Sequence, residues 1–138
     1  MLTDRLGYLL KHVQARLTDQ SAKALESYGV DGRDLAILSV IAAEDPLSQL
    51  EVAALLGVDR TSIGDLLDGL EHRGLVERRR SPEDRRRNLV ALTAEGEALL
   101  EAAERVRVEI EKAFLAPLGK AGAERFRDDL RILLEGKG

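Results

Sequence analysis

The chain has 138 residues, of which 44% are hydrophobic, 33% charged and only 3% aromatic, with a net charge of −4. That length suits one domain with an appended assembly element, and the aliphatic residues spread along it exclude a disordered polymer. The sequence has no cysteine, which excludes a disulfide framework, a thiol switch and a cysteine–zinc site, and no apolar run approaches the roughly 20 residues of a membrane span.

The first segment, residues 2–27, reads as a helix, because Leu2, Leu6, Leu9, Val13 and Leu17 recur at helical spacing. Asp4, Arg5, Lys11 and Asp19 interrupt its leucines, so it has no signal-peptide core, and a cytoplasmic location away from membranes is expected. Gly29 breaks the pattern. Asp31 is a predicted cap for a second helix, whose buried stripe is Leu35, Leu38, Ile41 and Ala42 and whose end is Asp45-Pro46. Ser48-x-x-Glu51 is a capping-box spacing, so a short third helix should start there, bury Leu50, Ala53, Ala54 and Leu55, and close at Gly57. Asp59 can cap a fourth helix with Ile63, Leu66, Leu67 and Leu70 on one face and Gly74 as its left-handed stop.

The period then changes. Leu75 to Arg80 and Leu89 to Leu92 read as two strands around the turn residues Ser81-Pro82-Glu83-Asp84. Thr93 can cap a long fifth helix with a heptad-like seam of Leu99, Ala103, Val106, Ile110 and Ala113. Pro117 and Gly119 interrupt it, and a last helix carries Ala123, Phe126, Leu130 and Leu133. The fold class predicted is mainly α with a small β-hairpin. Long leucine-striped helices at both ends bury poorly against one small domain, so a homodimer sharing a helical bundle is expected.

Charge is concentrated in one place. Residues 78–87 hold Arg78, Arg79, Arg80, Arg85, Arg86 and Arg87 against Glu83 and Asp84, which makes this stretch +4 and leaves −8 on the rest of the chain. Alone, such a run reads as a solvated loop. Here it follows a helix, a tight turn and a second capped helix, Ser48 to Gly74, which is the pattern of a helix-turn-helix. Arg60, Thr61 and Ser62 occupy the first turn of the second helix, where side chains and backbone amides can meet base edges and phosphates of double-stranded DNA. The arginine hairpin is then placed to reach an adjacent minor groove.

Gly74-Leu75-Val76-Glu77-Arg78, Asp84-Arg85-Arg86 and Leu89-Val90-x-Leu92-Thr93-x-Glu95-Gly96 resemble the wing and fifth-helix entry of the MarR (multiple antibiotic resistance regulator) family. Leu50-x-x-Ala53-x-x-Leu56-Gly57-Val58 resembles that family's helix-turn-helix. The resemblance covers nearly the whole chain. It implies a dimeric, ligand-responsive transcriptional regulator, usually a repressor, with one domain: dimerisation helices at 1–28 and 94–138 and a winged helix-turn-helix lobe at 31–93. It also implies Arg86 as the wing arginine of the minor groove, Asp84 as the residue orienting it, and Ser48 and Gln49 beside the phosphate backbone. With Arg60, Thr61, Ser62, Arg85 and Arg87 these make up the expected DNA-binding set. Asp65 and Gly69 depart from the pattern, standing where many relatives carry a basic or larger polar residue.

The resemblance further implies an effector pocket between the dimer helices and the lobe. Tyr8, His12 and Arg16 share one helix face and could hold an anionic aromatic or lipophilic effector, although the same spacing suits an ordinary polar flank. No cofactor is expected. His12 and His72 are the only histidines and Met1 the only methionine, so no metal site or sulfur-based sensor is expected either. No nucleophile triad, phosphate-cradling glycine loop or helical His-x-x-x-His pair points to an enzyme. The remaining alternative is a winged-helix module for a protein partner, which the arginine hairpin argues against.

Overall fold

A computed structural model describes residues 1–44 and 46–136. Asp45 of the expected helix stop, and Lys137 and Gly138 at the end of the expected dimerisation segment, lie outside the described residues.

The first helix, α1 (Leu6–Leu25), is shorter than its leucine spacing suggests. Leu2–Asp4 form one 3₁₀ turn and Arg5 is extended, so the helix restarts at Leu6. A 3₁₀ turn over Glu26–Tyr28 and Gly29 at φ 71° reverse the chain. Helix α2 (Gly32–Ala43) begins in a full capping box between Asp31 and Asp34. It buries Leu35, Ile37, Leu38 and Ile41, while the expected Ala42 is exposed.

A strand then appears that periodicity could not reveal. β1 (Leu47–Ser48) has two residues and pairs antiparallel with the later hairpin, Leu47 against Val90 and Ser48 against Leu89. Helix α3 (Gln49–Leu56) and helix α4 (Arg60–His72) follow, and then β2 (Val76–Arg80) and β3 (Asn88–Leu92). The sheet is therefore three-stranded, in the order β1-β3-β2, and the third strand supports a hairpin that would be marginal alone.

In α3 the structure corrects the expected face. Val52 and Ala53 are buried and Leu56 half-buried, whereas Leu50 and Leu55 are 52% and 59% exposed and Ala54 is also exposed. The sequence Leu50-Glu51-Val52-Ala53-Ala54-Leu55-Leu56 is apolar nearly all round, so spacing cannot choose a side; packing on α2 and α4 does.

Helix α5 (Ala94–Leu115) is capped by Thr93, whose Oγ1 accepts from Gly96 N at 3.0 Å and donates to the Gly74 carbonyl at 2.6 Å. A 3₁₀ turn at Ala116–Leu118 leads to α6 (Gly119–Glu135), which buries none of its residues within the protomer. The core lies in the lobe: Leu35, Leu38, Ile41, Val52, Ile63, Leu67, Leu70, Val76 and Val90 pack with Leu25 of α1 and Ala103 of α5.

Candidate nucleic-acid interface

Two capped helices and a hairpin build the site. Ser48 Oγ accepts from Glu51 N at 3.2 Å, and the Glu51 carboxylate accepts from Ser48 N at 2.9 Å. The Ser48 backbone and then its hydroxyl hold the Glu51 carboxyl below the usual carboxylate range. Gly57 at φ 65° turns the chain out of α3. Two residues on, Asp59 Oδ1 accepts from Ser62 N at 2.7 Å and Oδ2 from Ser62 Oγ at 3.0 Å. The Ser62 backbone N–H, then its hydroxyl, depress the Asp59 carboxyl likewise.

These caps sort the expected contacts. Arg60 and Thr61 are exposed at the start of α4, with no side-chain partner among the described residues. Ser62 is half-buried with its hydroxyl held by Asp59, and Ser48 is only 5% exposed with its hydroxyl used in the α3 cap. Gln49 is half-buried, and its Oε1 accepts from Arg78 Nη1 at 3.1 Å. Three of the five helix-turn-helix candidates are thus occupied in building the motif.

The six arginines also divide. In the hairpin loop, Ser81 N donates to the Arg87 carbonyl at 2.9 Å and Arg87 N to the Asp84 carbonyl at 3.0 Å. Asp84 Oδ1 accepts from both the backbone N and the Nε of Arg86, each at 3.1 Å. The Arg86 side chain, then its N–H, hold the Asp84 carboxyl below its ordinary range. Arg86 itself is 91% exposed while paired with Asp84. Arg85 is exposed beside it. Arg87 reaches back to the Glu51 carboxylate and ties the wing to α3, and Arg80 Nη1 donates to the Arg85 carbonyl at 2.7 Å.

Arg78 belongs to neither group, and sequence reasoning missed its role. Its guanidinium binds Asp68, Glu71 (3.0 Å) and Gln49, joining β2 to both helices of the motif. Burial opposes its charge, but the Glu71 and Asp68 carboxylates outweigh this and raise its pKa. The available signal was strand alternation: Arg78 is two residues from the buried Val76 and so shares its inward face.

A second feature lies away from the wing. A cleft of about 960 Å³ opens between α1, α2 and α5, lined among others by Leu17, Leu25, Arg33, Ser39 and Arg107. Arg107 binds Glu104 (2.8 Å) and Glu111 (2.6 Å), and Arg127 of α6 binds the other oxygen of Glu111 at 2.8 Å. Glu104, then Glu111, push the Arg107 pKa up, so it stays charged. The Tyr8 and His12 rings are in contact but tilted 34° to each other, with centroids 4.0 Å apart. They and Arg16 do not line this cleft; Gln14, Leu17, Thr18 and Ser21 of the same helix do. Among the described residues no helix is long and apolar enough to cross a membrane.

A capped second helix beside an arginine-tipped three-stranded wing defines a winged helix-turn-helix regulator. A profile of the MarR family matches residues 28–87. The transcriptional regulator HosA of Escherichia coli O111:H- is 31% identical over 99 residues, 72% of this chain and 73% of HosA. The chain belongs to the MarR family. Its fold is similar to that of the transcriptional repressor CouR on a 23-mer DNA duplex, with a TM-score of 0.93, 30% identity and coverage of 96% and 94% of the two chains. It is also similar to CouR from Rhodococcus jostii RHA1 bound to p-coumaroyl-CoA, with a TM-score of 0.83, 31% identity and the same coverage.

Proposed function

We propose that this chain is a cytoplasmic, non-enzymatic, ligand-responsive repressor that binds a pseudo-palindromic operator as a homodimer. The observation that carries the reading is the wing tip, where Asp84 holds the 91%-exposed Arg86 outward on the hairpin that follows the capped helix α4. Arg60 and Thr61 enter the major groove, Arg86 and Arg85 the adjacent minor groove, and Ser48, Gln49, Ser62 and Arg87 hold the frame that positions them. The similarity to CouR on its DNA duplex supports a role on double-stranded DNA.

Residues 31–93 form the DNA-binding lobe, and 1–28 with 94–138 the dimerisation helices. The effector site is the cleft at Leu17, Arg33, Ser39 and Arg107, since it touches α2 of the lobe and α1 and α5 of the dimer helices together. A ligand there can shift the lobes only through different affinity for their two arrangements. The similarity to CouR bound to p-coumaroyl-CoA supports a ligand-responsive regulator.

Fluorescence anisotropy on DNA from upstream of the gene, against scrambled DNA, tests the reading. Binding should be tighter to the upstream DNA and fall steeply as salt rises, through counterion release. Arg86→Ala should weaken it about tenfold or more while leaving the dimer intact. Equal, salt-insensitive binding to both duplexes would leave the winged helix to a protein partner.

A further inference from the structure

The outward face of the recognition helix carries an unexplained charge. Thr61, Asp65, Asp68 and His72 lie at i, i+4, i+7 and i+11 of α4, and all four are exposed. They oppose the buried Ile63, Leu67 and Leu70. A helix laid in the major groove presents this row to base edges.

Four carboxylates belong to this helix and its cap. Asp59 is held by Ser62, and Asp68 and Glu71 are neutralised by Arg78. Asp65 alone has no hydrogen-bond or ion-pair partner among the described residues. It follows Gly64, where the nearest atom to an added Cβ is Gln49 Nε2 at 3.5 Å, and Gly69 one turn later faces open space. No side chain at Gly69 stands between Asp65 and a groove floor.

An unpaired carboxylate beside phosphates weakens binding to any DNA, unless it meets a donor. The major groove offers amino donors at cytosine N4 and adenine N6. A carboxylate only accepts, and adenine sets its N7 acceptor beside its amino group, so cytosine is the better match. We propose that Asp65 is a specificity-determining residue: it accepts from the N4 amino group of one cytosine in each half-site, and its repulsion by phosphate suppresses binding elsewhere. This rests on the DNA-binding reading above.

The test is selection from a pool of duplexes with a random core, using the full-length wild type, Asp65→Ala and Asp65→Asn. Wild type should enrich cytosine at one symmetric position per half-site, by about tenfold over other bases. Asp65→Ala should lose that preference and bind non-specific DNA more tightly. Asp65→Asn should move the preference to adenine, whose N6 and N7 match an amide. Both variants enriching the wild-type base at every position would overturn the proposal. Failure of all three proteins to enrich any motif would overturn the DNA-binding reading and this inference with it.

Discussion

At Gly96 a single hydrogen atom lets the first turn of α5 lie on the backbone of Leu75. A Cβ there would sit 2.0 Å from the Leu75 carbonyl oxygen and 3.0 Å from its carbon. That oxygen already accepts from Thr93 N at 3.1 Å, and Thr93 caps α5. The junction fixes where the wing leaves the long helix. Neither backbone segment can move without losing the cap, so Gly96→Ala should cost about 3 kcal/mol, or roughly 10 °C in Tm. Gly69 is the contrast: it lies inside α4 with open space around it. Gly69→Ala should instead stabilise by about 0.5–1 kcal/mol, because alanine loses less backbone entropy in a helix. Thermal melts of both variants at one protein concentration check the pair; equal shifts would show that the Leu75 contact is not what requires glycine.

Among the elements, Arg78 makes the wing and the recognition helix one body. It holds Asp68 and Glu71 on α4 and Gln49 on α3 from a strand, and it is only 19% exposed. Arg78→Ala leaves two carboxylates without a counter-charge on a helix that must approach phosphate. Stability to urea should fall by about 2 kcal/mol, the scale of charged hydrogen bonds, and DNA affinity by about tenfold or more at low salt. Arg78→Lys should recover the salt response only in part, since an ammonium cannot span three acceptors as a guanidinium fork does. Full recovery by lysine would mean that charge alone matters there. This contact also marks how far the sequence was legible. The caps at Asp31, Ser48, Asp59 and Thr93, and the left-handed Gly57 and Gly74, follow from residue type and spacing, and the structure contains each of them. Asp84 and Arg86 are two residues apart, so their pairing was within reach of a local motif. β1 was not, because two residues carry no period. The link from Arg78 to Gln49 and the cleft were not either: the first joins residues 29 apart in sequence, and the second forms only where α1, α2 and α5 converge.

For the whole molecule the question is what covers α6. The helix buries nothing in the protomer, yet Leu130, Ile132, Leu133 and Leu134 are 40%, 55%, 69% and 88% exposed. At the other end of the chain Leu2, Leu6, Leu9, Leu10 and Val13 are exposed as well. So much apolar surface at two termini is costly in water, and a second copy would relieve it. The ion pair of Arg127 with Glu111 steers α6 toward α5 without burying it. Burial alone would raise the Glu111 carboxyl, but Arg127 and Arg107 outweigh it and keep it ionised. The wild type should therefore sediment at about twice the 15.2 kDa chain mass, with a Tm that rises with protein concentration. Replacing Leu130 and Leu133 together by Asp should give a species near 15.2 kDa. The lobe core contains no α6 residue, so its winged helix should persist in far-UV circular dichroism. A monomer presents one recognition helix where the operator needs two about 34 Å apart, and loss of the linked second contact should weaken operator binding by about a hundredfold. A doubly substituted protein that still sediments as a dimer would place the assembly surface away from α6, at the exposed leucines of α1.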